Sequence, residues 1–189
     1  MPAPDLFPTE ESHGGWPQWN EIQEDKLRDA LNKLKSMTPH DARIKILELE
    51  KYHGKRRELV WAELDFCPLA LALEPLSMLA NITNDSLCAG RVSDMSDAYI
   101  LWGWKADDYV LKTLSCVDLQ KDFEGISVAI NAIYLPWTED AARYFQEIVE
   151  KHGYPGKRHQ GIEFETPQPG ECILFVDGLR FDTAKRLKK

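Results

Sequence analysis

The sequence contains few cysteines, and none of them are paired at the spacing of a metal or redox motif. The four cysteines among 189 residues are 21, 28 and 56 positions apart, without a C-x-x-C motif. This spacing argues against a zinc site or a disulfide framework and favours reduced thiols in the core. They are Cys67, Cys88, Cys116 and Cys172. Residues 1–8 also lack the positive and apolar regions of a secretory signal, so we expect a cytoplasmic protein.

Glycine and proline are also sparse, and positive charge is in deficit. With 11 glycines and 11 prolines, the chain is neither collagen-like nor of low complexity, and its 43% hydrophobic and 29% charged residues are typical of a globular protein. Lys and Arg number 23 against 31 Asp and Glu, which gives a net charge of −8. This balance disfavours direct binding of nucleic acid or of an anionic membrane.

Only one stretch approaches the length of a membrane span. Residues 66–84 carry a single charge over nineteen positions, close to the 20 or so that cross a bilayer. However, Glu74 lies near the middle, and Pro68 and Pro75 interrupt the helical hydrogen bonds. We therefore predict a buried core helix here and no membrane association.

Apolar residues at helical spacing dominate the chain between a leader at 1–18 and a linker at 153–170. The segments 21–37, 39–53, 58–71, 94–104, 107–116 and 122–151 are predicted helices. Thr38 is a predicted N-cap with Pro39 at the first helical position, Pro68 is expected to kink or restart a helix, and Pro136 to bend the longest one. Residues 19–152 are therefore predicted to form a helical domain.

The last nineteen residues have a different character. Residues 172–176 form an apolar run of the kind found in a strand buried on both faces of a parallel sheet, and Asp177-Gly178 follows it. Phe181, Ala184 and Leu187 then suggest the first turns of an amphipathic helix. Because no other segment offers a comparable strand, this strand either pairs with another chain or belongs to an α/β domain that continues further. The second interpretation is simpler, and residues 171–189 are then the start of a truncated α/β domain. The predicted fold class is mainly α, followed by this first strand and helix.

Asp177 is the candidate site residue. Ligands gather at the carboxyl ends of strands in open α/β sheets, where a carboxylate can bind a divalent cation. The alternative is that Asp177 is a helix N-cap in an Asp-Gly turn. The segment is not a P-loop partner, because the chain has no G-x-x-x-x-G-K-[ST] motif.

The other candidates are weaker. The five histidines show no metal-binding spacing, and surface or loop positions are their expected places. The aspartates 94, 97, 107 and 108 lack a calcium-loop pattern and are expected to cap helices instead. An aromatic set is expected to pack in the core rather than to form a binding site. It comprises Trp102, Trp104, Tyr134, Trp137, Tyr144 and Phe145.

The segment 172–182, and above all Val176-Asp177-Gly178-Leu179-Arg180-Phe181-Asp182, resembles the start of the PglZ domain. This domain is a branch of the alkaline-phosphatase superfamily found in the BREX anti-phage systems of bacteria. The upstream chain resembles the helical region that precedes the domain in type B members. The matching pieces are residues 58–64, 68–70, 134–137, 145–146 and 153–156.

The resemblance implies that Asp177 binds a divalent metal, zinc or a similar ion, in the complete parent domain. Family enzymes place a Thr or Ser nucleophile and further Asp and His ligands downstream, beyond residue 189. We therefore expect a fragment of a metal-dependent, phosphatase-like defence component that is inactive alone and holds no metal itself. Its partners would be other subunits of a phage-defence complex. The alternative is a helical protein-interaction module of such a complex, without catalysis.

Overall fold

The structure, a computed structural model, describes residues 16–153, 168–170, 172 and 176–188. Helices account for 79% of these residues, and no strand occurs among them. The α-helices are α1 (Pro17–Lys33), α2 (Pro39–His53), α3 (Val60–Glu63), α4 (Pro68–Ile82), α5 (Val92–Ala98), α6 (Trp104–Leu114), α7 (Gln120–His152) and α8 (Phe181–Leu187). Short 3-10 turns follow α1 at Leu34–Ser36 and α2 at Gly54–Glu58. The prediction of a mainly helical chain is confirmed.

Prolines begin three of the helices, as local chemistry predicts. Pro17, Pro39 and Pro68 occupy first-turn positions of α1, α2 and α4, where the missing N–H costs no helical hydrogen bond. Thr38 caps α2, since its Oγ1 accepts a hydrogen bond from the backbone N–H of Asp41 at 3.2 Å. The predicted cap at Thr38 and the predicted restart at Pro68 are both confirmed.

Helix α4 forms the centre of the core. It packs against α1, α2, α6 and α7. Its fully buried leucines and alanines are Leu69, Ala70, Ala72, Leu73, Leu76 and Leu79. Burial of each leucine contributes about 1.5–3 kcal/mol. The apolar stretch is therefore a core helix, and no described helix has the length and apolarity to span a membrane.

The segment 92–114 is one unbroken helical run instead of the two helices expected at 94–104 and 107–116. Helices α5 and α6 are joined by a π-helical turn over Tyr99–Gly103. Gly103 lies against Leu87, and a Cβ at this glycine would come within 3.0 Å of a leucine methyl. The run continues because no proline or other breaker separates the two predicted helices.

Helix α7 packs against α1, α2, α4 and α6 and continues through Pro136 without ending. Its predicted apolar stripe is buried at Ile126, Ile130, Ile133, Trp137, Ala141 and Ile148. The indole of Trp137 also donates a hydrogen bond to the carbonyl of Asp85 at 2.7 Å. This bond ties the loop after α4 to α7.

The predicted strand lies mostly outside the described residues, at 173–175. The flanking Cys172 and Val176 are exposed and carry no strand structure. The predicted helix start after Asp177 is present as α8, which packs against α6. Its one buried residue is Asp182, whereas the predicted apolar residue Leu187 is exposed.

Candidate functional site

Asp177 is exposed and lies in a turn with Gly178, three residues before the N-cap of α8. Gly178 has φ +68°, a conformation that glycine adopts without strain. Among the described residues, no group of three or more His, Cys, Asp or Glu side chains is arranged to hold a metal ion. Asp177 is not the N-cap of α8, because Arg180 occupies that position.

The helix after this turn is anchored by Asp108 of α6. The Arg186 guanidinium pairs with the Asp108 carboxylate and also donates to its backbone carbonyl at 3.2 Å. Lys112 binds the second carboxylate oxygen at 2.6 Å. Burial opposes ionisation of Asp108, but the hydrogen bonds from Lys112 and Arg186 outweigh it and lower the pKa of this carboxyl.

Asp182, in the first turn of α8, is 1% exposed. Arg180 donates to its Oδ1 at 3.1 Å, while Oδ2 has no hydrogen-bond partner among the described residues. The Phe181 ring lies 6.0 Å from the ring of Tyr99, centroid to centroid. The final residues of the Val176–Asp182 motif are therefore held against the helical domain.

Asp107 accepts hydrogen bonds from two tyrosines, one of which, Tyr99, also lies next to Phe181 of α8. Its carboxylate accepts the hydroxyl of Tyr99 at 2.5 Å and that of Tyr134 from α7. Burial, followed by these hydrogen bonds to a carboxylate, raises the pKa of both phenols well above the usual value. Both tyrosines therefore stay neutral donors at physiological pH.

Aspartates 94, 97, 107 and 108 were expected to cap helices, and the structure shows this role for Asp94. Asp94 caps α5, accepting the backbone N–H of Arg91 at 2.8 Å. Asp107 and Asp108 do not cap, because both lie inside the continuous 92–114 helical run. Tyr134 and Arg186 reach them from α7 and α8, contacts that sequence spacing does not reveal. Their other partners, Tyr99 and Lys112, lie in the same helical run.

A separate polar cluster is buried around Arg56. Arg56 pairs with Glu24 at 2.8 Å and donates to the side-chain oxygen of Asn20 at 2.6 Å. The other Glu24 oxygen accepts the backbone N–H of Leu69 at 2.9 Å. Burial, only partly offset by Arg56, raises the pKa of Glu24. The cluster links α1 to the start of α4.

His53 belongs to this cluster and contradicts the expectation of surface or loop histidines. It is 3% exposed, and its Nδ1 lies 3.4 Å from an Arg56 nitrogen. Burial and the nearby Arg56 charge lower its pKa to about 4. The apolar stripe Ala42, Ile46, Leu49 and His53 contained the clue, because a histidine at the fourth stripe position is buried with the other three.

The cysteines also differ from a uniform set of core thiols. Cys67 is buried, and burial raises its pKa to about 11. Cys88 and Cys116 are half-buried, and Cys172 is exposed. The core-thiol prediction therefore holds for Cys67 and is wrong for Cys172.

An open groove of about 1010 Å³ runs between α4 and α6 and reaches the loop before α7. Its apolar lining includes Phe66, Leu71, Pro75, Met78, Tyr109 and Leu119. Three of these side chains are large and well exposed: Phe66 at 61%, Leu119 at 56% and Met78 at 44%. Such a concentration of exposed apolar side chains is typical of an interaction surface.

The rim of this groove is acidic. Asp65, Glu74 and Asp118 line it, and among the described lining residues Lys112 supplies the one positive charge. That lysine is already paired with Asp108. The groove therefore combines an apolar floor with unbalanced negative charge, a feature that the sequence reading missed because its two walls come from helices some 40 residues apart.

The prediction that the aromatic set packs in the core is confirmed for Trp137, Trp102 and Tyr134, whereas Phe145 is exposed. Trp102 and Tyr134 lie against the buried Trp137, with ring centroids 6.4 and 6.1 Å from it. Tyr144 donates its hydroxyl to the carbonyl of Gly90 at 2.9 Å.

Comparison with known proteins identifies no relative of this chain. No protein-family model, curated protein or solved structure matches it.

Proposed function

We propose that this chain is the helical region and first catalytic-domain segment of a PglZ-like, metal-dependent phosphatase component of a phage-defence system. In this proposal Asp177 contributes one ligand to a divalent metal, zinc or a similar ion. The helical domain holds the segment that carries this ligand. The residue pattern Val176–Asp182 is the basis for the family assignment.

The observation that carries the proposal is the docking of α8 on α6. Arg186 ties the helix to Asp108, and the ring of Phe181 lies near that of Tyr99. The exposed Asp177 turn comes just before this helix. A metal ligand must be held in a defined place to bind its ion tightly. The anchoring of α8 supports a positioning role for the helical domain.

The test begins with the gene downstream of codon 189. We expect the reading frame to continue and to encode a Thr or Ser nucleophile with further Asp and His ligands. The protein expressed from that frame is expected to hydrolyse p-nitrophenyl phosphate with zinc or manganese. Asp177→Ala should lower turnover more than about 100-fold, because even outer-shell partners of metal ligands cost about 10- to 100-fold.

Asp97→Ala is the matched control, since Asp97 is an exposed aspartate on α5. This variant should retain full activity. A frame that stops without such residues, turnover by the 189-residue chain alone, or an Asp177→Ala protein as active as the parent would each contradict the proposal.

A second candidate function is a protein-interaction module of a defence complex without catalysis. The groove between α4 and α6 favours it, because it exposes Phe66, Met78 and Leu119 within an acidic rim. A binding role of the groove requires no catalysis, because neither Asp177 nor any residue of α8 lines it.

A further inference from the structure

The two walls of the groove present regular helical stripes. Helix α4 contributes Pro68, Leu71, Pro75 and Met78, at spacings i, i+3, i+7 and i+10. The opposite wall continues from Tyr109 and Lys112 to Cys116, at i, i+3 and i+7. At 1.5 Å per residue the α4 stripe is about 15 Å long, which corresponds to roughly three turns of a helix laid beside it.

The exposed apolar side chains of the groove favour a helix, rather than a small molecule, as its ligand. Small-molecule sites bury most of their ligand in an enclosed cavity. Here Phe66 and Leu119 are more than half exposed, so the surface is an open trough. An amphipathic helix fills such a trough with side chains at i, i+3 or i+4, and i+7.

The negative charge of the rim indicates which charge the bound helix should carry beside its apolar stripe. Asp65, Glu74 and Asp118 face any occupant with three negative charges, against the single positive charge of Lys112 among the described lining residues. Basic residues beside the apolar stripe would therefore complement the rim, whereas acidic ones would be repelled. A second copy of this chain, docking by the same face, would bring the same negative rim and meet like charge.

We propose that the groove between α4 and α6 binds an amphipathic helix of a partner protein, about three turns long, with Lys or Arg flanking its apolar stripe. The proposal rests on the second function above and names the partner's chemistry. It does not depend on the metal role of Asp177, because neither Asp177 nor α8 lines the groove.

The experiment measures fluorescence anisotropy of a labelled helical peptide of about 15 residues. Its leucines repeat at i, i+3 or i+4, and i+7, with lysines on both flanks; the matched peptide replaces these lysines by glutamates. The lysine peptide is expected to bind the wild-type chain at least about tenfold more tightly than the glutamate peptide, with affinity falling as salt rises.

Two groove variants locate the site. Met78→Asp should weaken binding about tenfold, and Glu74→Lys should weaken it several-fold and reduce its salt dependence. Leu101→Asp is the control, because Leu101 is an equally apolar side chain, 76% exposed and outside the groove. Thermal unfolding of each variant confirms that it is folded, as expected for exposed positions.

Three results of these binding measurements would contradict the proposal. Absence of lysine-peptide binding, equal binding of the glutamate peptide, or an equal loss in Leu101→Asp would overturn the proposal. Sedimentation is run in parallel, and a dimer that Met78→Asp dissociates would assign the groove to a second copy. Any of these results leaves the Asp177 assay unaffected, so failure of this inference is distinguishable from failure of the catalytic proposal.

Discussion

Replacing Arg56 by methionine removes the one cation of a buried cluster and keeps most of the side chain's length. Arg56 is 4% exposed, and its partner Glu24 is nearly as buried. Without Arg56, the Glu24 carboxylate keeps the backbone N–H of Leu69 but has no countercharge. Breaking a buried ion pair in this way typically costs about 3–5 kcal/mol.

The expected change in thermal midpoint follows from that cost. For domains of this size each kcal/mol corresponds to about 2–4 °C, so Arg56→Met should unfold about 6–20 °C below wild type. Urea unfolding followed by circular dichroism gives the free energy of unfolding directly. The matched control is Arg143→Met: Arg143 is 68% exposed and lies 3.7 Å from Asp140, so its loss should change stability by about 0.5 kcal/mol or less.

A second substitution separates the charge effect from lost packing. Glu24→Gln together with Arg56→Met removes both charges and keeps an amide oxygen for the Leu69 N–H. Because no uncompensated charge then remains, the double variant should recover much of the lost stability. A loss below about 1 kcal/mol for Arg56→Met, or a double variant that costs the sum of both single changes, would refute the reasoning.

Two further predictions concern buried titratable groups. The folded-state pKa of His53 is about 4 and its ordinary value is 6.5, so protonation favours the unfolded chain and stability falls as pH drops from 6.5 toward 4. When the free energy of unfolding is measured by urea titration at several pH values, His53→Gln should lack this loss of about 1.4 kcal/mol per pH unit. His40→Gln, at an exposed position, is the control, and the same dependence on pH in both variants would contradict the assignment. Cys67, buried with a pKa of about 11, should resist iodoacetamide at pH 8 while exposed Cys172 reacts first; peptide mass spectrometry showing equal rates would refute this.

Much of the helical fold was predictable because its determinants are local. Thr38 and the prolines at helix starts act within one turn, and the stripe of α7 from Ile126 to Ile148 repeats over about six turns. The continuity of α5 and α6 was missed, because the two apolar patterns are out of register across the π-helical turn at Tyr99–Gly103, where Gly103 packs closely against Leu87. That contact is tertiary and leaves no periodic pattern.

The polar sites were harder to predict, because their members are distant in sequence. Arg56 and Glu24 are 32 positions apart, and Arg186 meets Asp108 across 78. A sequence shows that such charges exist but not which of them meet. Residue type alone suggested that Asp108 caps a helix. In the structure it lies inside α6, where Lys112 and Arg186 of α8 bind its carboxylate.

Helix α6 is the element on which the two proposed roles meet. Its residue Asp108 holds Arg186 of α8 with one oxygen and Lys112 with the other. Lys112 also lines the groove, so a helix bound there changes the surroundings of the same carboxylate that anchors α8. A basic helix bound in the groove would repel Lys112 and be attracted to the negative charge of Asp108. Binding in the groove and docking of α8 therefore share one charge, and whatever free energy couples them must act equally in both directions.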